Sequence, residues 1–138
     1  MKTAIRYYTR SGNTEKLALA IAEQLNLKAE TVEIPLEEKT EVLFLGCSYY
    51  AFDMDAVVKQ FLKANREKIG RVVCFGTSAM MKSMKKPMEK VAGELGIAVA
   101  EEEFHCRGSF GPMHKGKPDA EDLAAAKAFA AQVAAKAD

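Results

Sequence analysis

The stretch that most narrows what this chain can fold into is Val42-Leu43-Phe44-Leu45-Gly46-Cys47, a run without a charged or strongly polar side chain. A strand with one wet face alternates apolar and polar residues, and this run does not. It is too short for a buried helix and is bounded by polar residues, so it reads as a central strand covered on both faces. Cover on both faces demands a layer of helices on each side. The economical solution is a parallel sheet whose strands are joined by helical crossovers.

The rest of the chain supplies those parts. Ala4 to Tyr8 is a first short apolar strand, followed by a helix over Glu15 to Leu25 with Leu17, Ile21 and Leu25 on one face. Thr31 to Ile34 reads as a second strand, ended by Pro35. After the central strand, a helix starts near Asp53 or Asp55 and turns Val57, Val58, Phe61 and Leu62 inward. Arg71 to Phe75 is the fourth strand, ended by Gly76-Thr77-Ser78, and residues Ala79 to Lys86 form a loop. Pro87 belongs in the first turn of the next helix, where its missing N–H is harmless. Met88, Val91, Ala92 and Leu95 are that helix's inner stripe, and Gly96 is its stop. Ile97 to Cys106 is the fifth strand. A loop rich in glycine and proline leads to Asp119, which caps a last helix carrying Leu123, Ala126, Ala130 and Val133 on one side and Phe129 on its shoulder.

One connection stands out as short. Only Leu36 to Thr40 joins the second strand to the third, and such a segment spans roughly 20 Å when extended, too little for a crossover helix. The sheet face there is expected to be thinly covered. That leaves a weak homodimer contact or a solvated short loop, and the second is preferred.

Composition closes off several classes. The 138 residues make one domain, residues 1–138, large enough for a core without disulfides or metal. A formal charge of +1 argues against nucleic-acid binding, which calls for a strongly basic face. Cys47, Cys74 and Cys106 are far apart, and with only His105 and His114 beside them no metal site is expected. No signal peptide and no membrane span are visible, so a cytoplasmic location is expected.

In such a sheet, ligands gather beyond the C-terminal ends of the strands. Three segments leave those ends. Thr9-Arg10-Ser11-Gly12-Asn13-Thr14 is a strand-to-helix turn with hydroxyls at i, i+2 and i+5, and its backbone N–H groups lie at the positive end of a helix. It suits a terminal phosphate, the alternative being an N-capping turn served by Ser11 or Asn13. Ser48-Tyr49-Tyr50-Ala51-Phe52 places aromatics where they can sandwich a flat ring. Gly76-Thr77-Ser78 is small enough for backbone amides to meet a ligand's polar edge.

Together these segments resemble the flavodoxin family. The pattern hydroxyl-x-hydroxyl-Gly-x-Thr after a strand stands at residues 9–14, Leu45 to Tyr50 resembles the family's second flavin loop, and Phe75 to Ser78 the third. Phe104 to Gly108, Gly116-Lys117-Pro118 and the final helix resemble a short-chain branch. The resemblance implies a three-layer α/β/α fold, with five parallel strands in order 2-1-3-4-5, and non-covalently bound FMN. Thr9 to Thr14 would hold the phosphate, with Arg10 adding a cation. Ser48 to Phe52 and Gly76 to Ser78 would flank the ring, Tyr49 or Tyr50 stacking on it. The chain departs from the family in being neutral where flavodoxins are acidic. It carries Met80 and Met81 where the third loop often has an aromatic, with Lys82, Lys85 and Lys86 nearby.

The resemblance implies an electron carrier that passes electrons between protein redox partners through FMN. A small FMN-dependent NAD(P)H or quinone oxidoreductase and a fold that has lost flavin are the alternatives. No catalytic residue is named for an enzyme. Cys106 is read as inert packing rather than a redox thiol. A phosphoacceptor domain is excluded because Cys47-Ser48 and Tyr8-Thr9 stand where acidic residues are needed. A small tyrosine phosphatase is excluded because Cys47 is followed at the required distance by Asp53, not arginine. A P-loop is excluded by the missing Gly-Lys-Ser/Thr.

Overall fold

The computed structural model describes residues 2–48, 54–78, 83, 85–108 and 114–137. Along the chain these form β1 (Thr3–Tyr7), α1 (Asn13–Leu25), β2 (Ala29–Thr31), β3 (Thr40–Ser48), α2 (Ala56–Asn65), a 3-10 turn (Arg66–Lys68), β4 (Ile69–Ser78), α3 (Lys85–Glu94), β5 (Ala98–Arg107) and α4 (Ala120–Ala137). The five strands form one sheet in the order β2-β1-β3-β4-β5, and every pairing is parallel.

The central run behaves as its composition demands. Side chains of β3 alternate between two cores. Leu43, Leu45 and Cys47 join Val58, Phe61, Leu62, Met88 and Ala92 of α2 and α3. Val42 and Phe44 join Leu17, Ile21, Ala126, Ala130 and Val133 of α1 and α4. Phe129 meets Phe44 edge-on at a centroid separation of 6.3 Å. Gly46 is fixed by packing, since a Cβ there would lie 2.3 Å from Cε2 of Phe75 on the neighbouring strand.

The helix ends follow their local chemistry. Asp55 caps α2, its carboxylate accepting from the Val57 N–H at 3.0 Å. Asp119 and Asp122 cap α4 reciprocally, each carboxylate accepting from the other's backbone N–H at 3.0 and 2.9 Å. Gly96, at φ +74°, ends α3 with the Ile97 N–H returned to the Ala92 carbonyl. Pro87 falls in the first turn of α3, as its chemistry requires.

Two expectations need correction. The second strand is Ala29–Thr31, not Thr31 to Ile34. The β-branched run bends away because Arg6, 5% exposed, takes the carbonyls of Ile34 (2.9 Å from Nε) and Pro35 (3.1 Å from Nη2). A tertiary clamp outweighs local strand propensity here. The connection to β3 is therefore longer than expected, and it is not merely solvated. Val32 and Leu36 pack into the core beside Met54, Phe61 and Leu62. Asn65 accepts from the Leu36 N–H at 3.0 Å, and Lys68 Nζ donates to the Leu36 carbonyl at 2.9 Å. The connection covers the sheet face in place of a helix.

The second correction concerns Gly76, Thr77 and Ser78, which continue β4 instead of ending it. They pair on both sides, Gly76 and Thr77 with Cys47 and Ser48 of β3, and all three with His105, Cys106 and Arg107 of β5. Ladder bonds on two edges hold residues that alone favour a turn.

Candidate functional site

Residues 9–14 leave the C-terminal end of β1 next to the corresponding end of β3, where the Tyr8 N–H donates to the Gly46 carbonyl at 2.9 Å. The chain then reverses. The Gly12 N–H donates to Thr9 Oγ1 at 2.9 Å, and Gly12 itself sits at φ +87°. That conformation strains any residue with a Cβ. Space is not the constraint, because a Cβ on Gly12 would meet nothing within 4 Å.

Gly12 is the N-cap of α1 and, being glycine, has no side chain with which to cap it. Ser11 is exposed and Thr9 half-buried beside the helix start. The only acid in the first turn of α1, Glu15, accepts a hydrogen bond from the Tyr7 hydroxyl at 2.8 Å. Burial and the adjacent Glu15 carboxylate both raise the Tyr7 pKa, so the phenol stays protonated as the donor. A helix N-terminus flanked by the Thr9 and Ser11 hydroxyls is chemically fitted to an anion.

Asn13 and Thr14 follow as the first residues of α1. Both are buried, and Thr14 Oγ1 lies 3.2 Å from Thr77 Oγ1. A Cβ on Gly108, just past β5, would come within 2.8 Å of Asn13 Nδ2 and 3.0 Å of Thr77 Cβ. The turn is thereby tied to the ends of β4 and β5. Arg10 reaches across to α2, its Nη2 lying 2.6 Å from Asp55 Oδ2. The bonds from the Val57 N–H and then from Arg10 hold the Asp55 carboxyl below the usual range. Asp55 in turn raises the guanidinium's pKa.

Of the second segment, Ser48 ends β3, paired with Thr77. Tyr49, Tyr50, Ala51 and Phe52 lie outside the described residues, as do Met80, Met81 and Lys82. The third segment is brought close to the first through Thr77. Ser78 Oγ lies 3.1 Å from His105 Nε2. Burial, and then the Arg107 charge, depress the His105 pKa, favouring a neutral ring.

Sequence reasoning named Asp55 only as a helix start and gave His105 no partner. The capping signal was readable at Asp55, but the Arg10 and Ser78 contacts join segments remote in sequence and leave no local trace. A cavity of about 370 Å³ lies between the end of β5 and the start of α4, lined by His105, Cys106, Arg107, Lys117 and Asp122. Lys117 is engaged there by Asp119 at 2.8 Å and Asp122 at 3.4 Å. Burial and the nearby Asp122 charge push the Cys106 thiol up to about 12. Among the described residues no group of three or more His, Cys, Asp or Glu side chains is placed to hold a metal ion, and no helix is long and apolar enough to cross a membrane.

Strand order, helix layers and the turn at residues 9–14 together define a flavodoxin fold. The chain is similar to a solved flavodoxin from the domain Archaea, with a TM-score of 0.79 and 20% identity over 99% of this chain and 98% of that one. It is also similar to oxidised flavodoxin 2 from Bacillus cereus, with a TM-score of 0.71 and 21% identity over 99% of each chain. A third similar structure is the rubredoxin oxygen:oxidoreductase from Desulfovibrio gigas, with a TM-score of 0.73 and 16% identity. There the match covers 98% of this chain but 35% of that one. No protein-family model and no curated protein matches the chain in sequence.

Proposed function

We propose that the protein binds FMN non-covalently and carries electrons between protein redox partners in the cytoplasm. The observation that carries this reading is the start of α1 at Gly12, φ +87°, where a Cβ would meet nothing within 4 Å and where the Thr9 and Ser11 hydroxyls stand beside the first turn. The exposed Ser11 hydroxyl, the Thr9 hydroxyl and the backbone N–H groups of the turn would hold the phosphate. Asn13 and Thr14, in the first turn of α1, would complete that seat, with Thr14 also joined to Thr77. Ser48 to Phe52 would flank the ring on one side, and Gly76 to Ser78 on the other. FMN, when bound, supplies the one- and two-electron chemistry that no side chain of this chain provides. The solved flavodoxins that share the fold over nearly their whole length support the reading.

The reading is tested by adding FMN to the flavin-free protein and following flavin fluorescence. Quenching with a dissociation constant below micromolar is the expected result, and no binding at micromolar protein rejects it. Oxidation of NAD(P)H by the flavin-loaded protein alone separates carrier from enzyme. A carrier turns over slowly without a partner reductase, and rapid turnover with a quinone would favour the oxidoreductase.

A further inference from the structure

The cavity between the end of β5 and the start of α4 has no part in the flavin reading. Its volume of about 370 Å³, lined by His105, Cys106, Arg107, Lys117 and Asp122, is that of a site for a small molecule. Both walls are fixed. His105, Cys106 and Arg107 pair in register with Gly76, Thr77 and Ser78 of β4. The start of α4 is held by the reciprocal Asp119 and Asp122 cap, and its Phe129 ring lies 5.9 Å from Phe104 of β5, centroid to centroid. Several lining groups keep hydrogen-bonding capacity that no described residue takes up. His105 meets Ser78 Oγ through Nε2 and has no partner at Nδ1 among the described residues. Asp122 meets the Asp119 N–H at 2.9 Å and Lys117 Nζ at 3.4 Å, both through Oδ2, which leaves Oδ1 without a partner among the described residues. No buried side-chain nitrogen or oxygen among them lacks a partner, so these two atoms are open to solvent. The Lys117 ammonium has three donors, of which Asp119 and Asp122 engage two.

We infer that this cavity binds a small organic carboxylate that carries a hydroxyl or ammonium group beside the carboxylate. The lining sets two cations, Arg107 and Lys117, against one carboxylate, Asp122, while Asp119 binds Lys117 from outside the lining. A carboxylate matches the planar fork of a guanidinium and the remaining lysine donor. The neighbouring hydroxyl or ammonium donates to Asp122 Oδ1, and His105 Nδ1 completes the polar set. A phosphate dianion fits less well, because it brings a second negative charge to the Asp122 carboxylate. The inference is independent of the flavin reading, since none of the lining residues belongs to the segments assigned to FMN.

The test follows backbone amide shifts of His105, Arg107, Lys117 and Asp122 in the protein as isolated, while lactate, free alanine, propionate or inorganic phosphate is added at neutral pH. Lactate and free alanine are propionate with a hydroxyl or an ammonium group added, so the series isolates the donor. Saturable shifts are expected for both with a Kd of about 1 mM, and propionate should bind about threefold more weakly. Arg107→Gln is expected to weaken all three carboxylates about tenfold, with Arg107→Lys intermediate. Asp122→Asn keeps an oxygen for the helix cap and should abolish the preference over propionate. Arg107 and Glu103 are the charges that already act on the His105 ring, and a bound carboxylate should raise the midpoint of its titration, read from the ring protons. No saturable shift by about 20 mM lactate or free alanine overturns the inference. Unchanged affinity in Arg107→Gln, equal affinity for propionate and lactate, or tighter binding of phosphate than of the carboxylates overturns it as well. A chain that binds no FMN but meets these expectations rejects the flavin reading alone.

Discussion

Thr14 and Thr77 meet through their hydroxyls at 3.2 Å in a buried contact between residues 63 positions apart. The contact joins the first turn of α1 to the end of β4, so two of the three ligand-side segments share one polar seam. Replacing Thr77 by Val keeps the volume and removes the hydrogen-bonding group. Thr77→Val is expected to lower stability by about 1 kcal/mol, and Thr14→Val/Thr77→Val by less than the sum of the single losses. Urea unfolding of the four proteins checks this.

Gly46 and Phe75 are similarly matched in shape. Gly46→Ala should cost about 1–3 kcal/mol, since the new methyl must displace a fully buried ring in the middle of the sheet. Shortening the ring in Gly46→Ala/Phe75→Leu should recover part of the loss. Failure of the double variant to improve on Gly46→Ala would show that the strain lies in the backbone rather than against Phe75.

Stability should fall on mild acidification because of His105. Its folded pKa is depressed below the ordinary 6.5, so the unfolded chain binds the proton more readily than the folded one. The stabilising contribution is complete above 6.5 and is lost as the pH falls through the folded value. The groups facing this ring include Ser78, Glu103 and Arg107, and His105→Gln removes the titration while leaving them in place. Urea midpoints measured from about pH 8 to about pH 5.5 should therefore fall less in His105→Gln than in wild type.

The thiols should be quiet. Cys47 and Cys74 are fully buried, and Cys106 is held as a thiol by its raised pKa of about 12. Thiolate is the reactive form, so iodoacetamide at about pH 8 should label the native protein slowly and the unfolded protein fully at all three cysteines. Rapid native labelling at Cys106 would count against its inert role.

The sheet order and the helix layers were legible because they follow from patterns within single segments. Val42 to Cys47 could only be central, and Asp119 could only be a cap. The misplacement of β2 has a different origin. Thr31 to Ile34 carries a strand's residues, but Arg6, in another strand, pulls the carbonyls of Ile34 and Pro35 into a bend. Gly76 to Ser78 has a turn's composition and is drawn into the ladder by β3 and β5 together. In the site, the role of Gly12 could be read from its position after two hydroxyls. The partnerships of Thr14 with Thr77 and of Arg10 with Asp55 depend on which side chains arrive from elsewhere.

The two edges of the sheet also differ in what they offer to another molecule. β2 is three residues long, too little ladder to template an added strand. β5 is ten residues long and lies at the opposite edge, but it carries Glu101, Glu102 and Glu103 in succession, with Lys136 of α4 3.6 Å from Glu102. Carboxylates along an edge disfavour the approach of a second copy of the same strand. Resistance to edge-to-edge aggregation is thus built differently at each end, by brevity on one side and by charge on the other.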